Sequence, residues 1–165
     1  MATTIAPKRE DLLRRLRQQN GVCLMFIDGG FAAASDGGTR KLINPADGEV
    51  VAVVAEGTKD DAERAIRAAR EAFDNGPWSE THAQDRAKLL FQLADKIDEN
   101  ATELARLETL NNGKPVRETE YDVSDAANCF RYYAGLATKP HGETFDVPAP
   151  SQTFVVREPI EQYIP

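Results

Sequence analysis

Lys41-Leu42-Ile43-Asn44-Pro45-Ala46-Asp47-Gly48-Glu49-Val50-Val51-Ala52-Val53-Val54-Ala55 reads as strand, turn, strand. Asn, Pro, Asp and Gly crowd the centre, each suited to a tight reversal. The run that follows is β-branched, the composition of a pleated, half-buried surface. Upstream, Leu24-Met25-Phe26-Ile27 is a second short apolar run that stops on Asp28-Gly29, another strand-and-turn signal. Together these predict small antiparallel strands joined by hairpins.

Downstream of Ala55 the period changes from two to 3.6. Thr58 precedes Ala62, Ala65, Ile66, Ala69 and Phe73, and Asn75-Gly76-Pro77 stops that helix. Thr81 with Gln84 has the form of a capping box, in which the Thr hydroxyl accepts from an orphan amide and the Gln reaches back. Ala87, Leu90, Ala94 and Ile97 follow on one face. Asn100 with Glu103 has the same form and opens a helix with Leu104, Leu107 and Leu110, closed by Asn112-Gly113. Pro115 suits the first turn of a fourth helix, which runs to about Gly135 through Val123, Ala127 and Phe130. Phe145–Val147 and Thr153–Arg157 then read as strands around Pro148-Ala149-Pro150, where prolines favour edge positions. At the other end, Lys8 to Gln19 carries Leu12, Leu13 and Leu16 at helical spacing before Asn20-Gly21. It reads as a short helix or a leader.

Composition narrows the function classes. The chain has 165 residues, 41% hydrophobic and 28% charged, with a net charge of −7. That fits one modest globular domain and gives no basic surplus for nucleic acid or anionic lipid. No apolar run is long enough to cross a bilayer. Residues 1–20 include Glu10 and Asp11 and no apolar signal core, so the expected location is cytoplasmic. Strands and helices do not alternate, and neither a G-x-G-x-x-G nor a G-x-x-x-x-G-K-[ST] loop occurs, so no nucleotide cradle is expected. Cys23 and Cys129 lie far apart with no metal-ligand spacing, and His82 and His141 match no zinc pattern.

Six segments, in order, carry a resemblance. They are Phe26-Ile27-Asp28-Gly29, Ile43 to Glu49, Ala68-Ala69-Arg70-Glu71-Ala72-Phe73, Leu107 to Pro115, Arg131-Tyr132-Tyr133-Ala134-Gly135 and Arg157-Glu158-Pro159-Ile160. The chain resembles the N-terminal portion of the aldehyde dehydrogenase superfamily, nearest its betaine-aldehyde and aminoaldehyde branch. The resemblance implies an incomplete α/β fold: β-hairpins and a four-helix segment of a cofactor domain, then a hairpin of an oligomerisation domain. It divides the chain into an extension (1–23), the N-terminal part of the NAD(P)-binding domain (24–139) and a truncated first oligomerisation-arm hairpin (140–165).

The family's chemistry implies a Cys thiolate attacking an aldehyde, hydride transfer to NAD(P)+, and a Glu-activated water releasing the carboxylate, with an Asn stabilising the oxyanion. In relatives those groups follow the Arg-Glu-Pro-Ile segment. The expectation is therefore a fragment without catalytic residues, inactive alone and binding no cofactor alone, its aldehyde substrate met only in a complete enzyme. The alternatives are a non-catalytic oligomerisation module, as a homo-oligomer or with full-length relatives, and one piece of a split dehydrogenase.

Asp122 and Asp125, at i,i+3, share a helix face. Their plain reading is a solvated acidic face. The resemblance implies instead that they line a substrate tunnel and attract an ammonium group on the far end of the aldehyde. Likewise, Leu42 and Ile43 match positions whose backbone carbonyls help to bind a monovalent cation, and Asn111 matches a position that is often Asp. Their plain reading is hairpin and helix-cap residues. Cys129 and Cys23 read as small packing residues, Trp78 as a packing anchor and Lys114 as a surface residue at a helix start.

Overall fold

The computed structural model describes residues 21–158. The helix read over residues 8–19 and the segment from Pro159 onward lie outside that range. Within it the order is β1 (Val22–Cys23), β2 (Met25–Ile27), β3 (Gly30–Ala32), β4 (Thr39–Ile43), β5 (Val50–Ala55), α1 (Lys59–Asn75), α2 (Ala83–Glu99), α3 (Ala101–Asn112), α4 (Val116–Leu136), β6 (Glu143–Phe145) and β7 (Thr153–Val155). This is the expected α/β arrangement of hairpins, four helices and a last hairpin.

The turn formers act as their chemistry dictates. The Asn44 side chain accepts from the Ala46 amide at 3.0 Å, its backbone closes onto Gly48 and Glu49, and Asp47 accepts from the Glu49 amide. Gly48 sits at φ 75°, the left-handed region that glycine enters without strain. The β4–β5 register runs antiparallel from Thr39↔Ala55 to Leu42↔Ala52, then slips so that Ile43 faces Val50. Asp28 and Gly29, at φ 54° and 72°, make the two-residue turn between β2 and β3.

One pairing departs from the antiparallel expectation. β1 runs parallel to β5, with Val22 opposite Val53 and Cys23 opposite Val54. The β-branched run of β5 is therefore the central strand of the order β1-β5-β4, and the β2–β3 hairpin peels away as its own ladder. The sheet begins at Val22, inside the stretch that the division at residue 23 assigned to the extension.

Both expected capping boxes fail, while an unexpected one forms. The Thr81 hydroxyl donates to the Pro77 carbonyl at 2.8 Å, spent on the preceding turn, so His82 caps α2 without a side-chain bond. Asn100 is the single joint between α2 and α3, and its amide donates back to the Lys96 carbonyl, an orphan of the helix behind it. At α1, however, Thr58 and Asp61 cap reciprocally. Asp61, 2% exposed, accepts from the amides of Thr58 and Ser35 and from both hydroxyls, all within 3.2 Å. The β3–β4 loop is thereby tied to the helix start. These donors hold its carboxyl at about 2, below the ordinary 3.8.

The helices pack through small residues. Ala94 of α2, Ala105 of α3 and Ala127 and Ala134 of α4 are buried, which lets α4 lie close against both neighbours. Thr119, wholly buried, donates to the Val116 carbonyl, so the hydroxyl bond between Thr109 and Thr119 is donated by Thr109. Arg131 crosses from α4 to Asp95 and Asp98 of α2 at 2.8 and 2.6 Å. A second centre joins Val51 and Ala52 to Cys23, Leu42 and Leu110.

Candidate functional site

Helix α4 has two faces. Thr119, Val123, Ala127 and Ala134 point into the bundle. Asp122, Asp125, Cys129 and Tyr132 follow one another at intervals of three or four on the opposite side, so they form one stripe. Asp125, Cys129, Tyr132 and Tyr133 are exposed and Asp122 half-buried, with the two tyrosine rings edge-to-face at 5.3 Å. Cys129 is therefore not the packing residue its type suggested: two positions beyond Ala127, it falls on the far side of the helix from the core. Cys23, half-buried against Val51 and Ala52, does pack.

The two carboxylates are not equivalent. Asp122 carries the Lys114 ammonium on its Oδ2 oxygen, while Asp125 lies one turn further along the exposed stripe. The Asp122 carboxylate raises the Lys114 ammonium above its ordinary value, with Glu108 and Glu118 adding to the attraction. Lys114 is thus a partner in the candidate site and not merely a surface residue. Its reach was hidden in sequence because the pair spans eight positions and a reversal. Gly113, at φ 79°, turns the chain, and Pro115 starts α4 so that the Lys side chain can run alongside its first two turns.

The same reversal brings the end of α3 against the turn between β4 and β5. Gly113 presses so closely on Pro45 that an added Cβ would lie 2.7 Å from the proline Cγ. Leu110, one residue before Asn111, packs near Leu42 in the sheet centre. The register of the β4–β5 ladder shifts between Leu42 and Ile43. Leu42 of β4 and Leu110 of α3 thus pack against the same buried pair, Val51 and Ala52. Among the described residues no group of three His, Cys, Asp or Glu side chains could hold a metal ion.

Trp78 is half-exposed and carries the Arg86 guanidinium 6.0 Å above its ring, while Arg86 donates to the Trp78 and Thr81 carbonyls. Among the described residues it is a surface platform rather than an interior anchor. No described strand feeds a glycine-rich turn into a helix. No described helix is long and apolar enough to cross a membrane.

The aldehyde dehydrogenase family model matches residues 31–162. Betaine aldehyde dehydrogenase of Bacillus subtilis is 44% identical over 137 residues, 82% of this chain and 28% of that protein. The mitochondrial aldehyde dehydrogenase of Rattus norvegicus is 42% identical over 138 residues, 82% of this chain and 27% of that protein. A crystal structure of Staphylococcus aureus betaine aldehyde dehydrogenase in complex with NAD+ superposes with a TM-score of 0.78 at 47% identity, covering 85% of this chain and 27% of that one. The chain thus spans little more than a quarter of the relatives it matches. With a family match over most of its length and the strand, helix and hairpin order of those structures, it belongs to the aldehyde dehydrogenase family.

Proposed function

We propose that this chain supplies the N-terminal part of the cofactor domain (24–139) and the first oligomerisation-arm hairpin (140–165) of an NAD(P)-dependent enzyme that oxidises an aldehyde to its carboxylate. Its own contribution is scaffold and substrate entrance. The observation that carries this reading is the α4 stripe: Asp122 and Asp125 stand one turn apart on a face the bundle leaves uncovered, in a chain similar to betaine aldehyde dehydrogenases. Negative charge at the mouth of a low-dielectric tunnel favours an aldehyde with a cationic tail, such as betaine aldehyde or an aminoaldehyde. By the same reading, Leu42, Ile43 and Asn111 hold a monovalent cation that ties the hairpin to α3.

The test uses two substrates of one shape. Betaine aldehyde carries a trimethylammonium group where 3,3-dimethylbutanal carries a tert-butyl group. In a complete aldehyde dehydrogenase bearing this chain, replacing Asp122 and Asp125 together by Asn should raise KM for betaine aldehyde about two- to tenfold. KM for the neutral isostere should stay level, and kcat should hold because the attraction acts equally on ground and transition states. Equal change with both substrates, or change with neither, returns the pair to a solvated acidic face.

The exposed apolar side chains favour a chain that is completed by further polypeptide, whether continuous with it or separate as in a split dehydrogenase. Phe26 and Phe31 of the β2–β3 hairpin, Ile66 and Phe73 of α1, and Phe154 of β7 are all open to solvent.

A further inference from the structure

We propose that Lys114 is a specificity-determining residue, a tethered ammonium that occupies Asp122 and competes there with the cationic end of the substrate. The inference rests on the entrance reading of Asp122 and Asp125 given above and adds to it what regulates the charge of that entrance.

Three observations carry it. First, the Lys114 ammonium sits on the Asp122 carboxylate, and the two side chains are 40% and 38% exposed. A pair that open to water can exchange its cation, because little desolvation accompanies its opening. Second, the lysine is held in register by its backbone. Its amide donates to Asn112 Oδ1 at 2.8 Å, and the preceding Gly113 is fixed by its left-handed φ and its contact with Pro45. A tether this short presents its ammonium to Asp122 at a high effective concentration. Third, Glu108 and Glu118 add to the negative field around the Lys114 ammonium, so Asp122 is not its sole attraction.

The entrance therefore carries one occupied and one open carboxylate, with a summed charge of −1 for Asp122, Asp125 and Lys114 instead of −2. A primary ammonium matches the lysine head group in charge and in hydrogen-bond donors, and a quaternary ammonium matches it in charge alone. Binding it across both aspartates means moving Lys114 aside, whereas a neutral aldehyde leaves the pair in place. Lys114 thus lowers the preference for cationic aldehydes that the two carboxylates would otherwise give.

The experiment measures the ratio of kcat/KM for betaine aldehyde to that for 3,3-dimethylbutanal, in a complete aldehyde dehydrogenase bearing this chain. Lys114→Gln should raise the ratio about two- to fivefold, the scale of an exposed ion pair. Lys114→Arg, which keeps the cation, should leave the ratio near the parent value. In an Asp122→Asn background, Lys114→Gln should leave the ratio where Asp122→Asn alone puts it. A ratio that does not rise in Lys114→Gln, or that rises equally without Asp122, overturns the proposal. The two readings fail separately. If Asp122→Asn with Asp125→Asn lowers the ratio and Lys114→Gln leaves it alone, only the role of Lys114 is lost. If the aspartate substitutions do nothing, the entrance reading falls and this one with it.

Discussion

Single side chains in this protein are decided by where a helix turns them. Asp61 shows the consequence for stability. Its folded carboxyl sits at about 2 against an ordinary 3.8, lowered first by the Ser35 amide and then by the Thr58 amide. Because the folded value is the lower one, the stabilisation is fully present above about pH 4 and is lost as pH falls toward 2. In thermal melts, Asp61→Asn should therefore melt below the parent by a constant margin above pH 4, and the margin should shrink through that window. A margin unchanged down to pH 2 would contradict the assignment. The Thr58–Asp61 pair could have been found in sequence, since Thr followed three positions later by an acid is the cap spacing. Lys114 on Asp122 could not, because no periodic rule links a residue before a helix to one two turns inside it. Cys129 was misplaced for a related reason: residue type suggested burial, while its spacing from Val123 and Ala127 already put it on the outer face.

At the scale of elements, hydrophobic period and turn chemistry marked the strands and helices to within a few residues. Long-range pairing was not written there. The β-branched run of β5 announces a strand but not that β1 lies parallel beside it, and Asn100 is cap-like without showing which of its two helices it serves. The joint at Gly113 is the most demanding element boundary, because it fixes both the α3 end and the Pro45 turn. Gly113→Ala meets a left-handed φ and a Cβ 2.7 Å from Pro45 Cγ, so it should destabilise the chain by at least about 1 kcal/mol. Gly135→Ala, in α4 with open space around the added carbon, should instead stabilise by about 0.5–1 kcal/mol. Urea midpoints of the two variants should move in opposite directions. A joint rise would show that the α3 turn relaxes freely.

As a whole molecule, residues 21–158 bury mostly alanines while large apolar side chains stay outside on α1, on α2 and on the three β-hairpins. Such surface calls for further polypeptide. The isolated chain should bind a hydrophobic dye and grow in apparent mass with concentration in light scattering. A monodisperse monomer that melts sharply and binds no dye would show that these faces need no cover. Family membership was legible in six short segments, of which Phe26 to Gly29, Ile43 to Glu49 and Leu107 to Pro115 are turn or helix-end patterns whose spacing the fold fixes. The entrance charge was only half legible, since it depends on which cation already sits on Asp122. The central claim is that this chain is an interchangeable N-terminal part of an aldehyde-oxidising enzyme. Replacing the matching segment of Staphylococcus aureus betaine aldehyde dehydrogenase by residues 31–162 tests it, with NADH formation from betaine aldehyde as readout. The account predicts that the chimaera retains activity within about tenfold of the parent, a barrier change of about 1.4 kcal/mol, while the 165-residue chain alone forms no NADH. A chimaera that folds and binds NAD+ yet oxidises no aldehyde, or activity from the isolated chain, would contradict it.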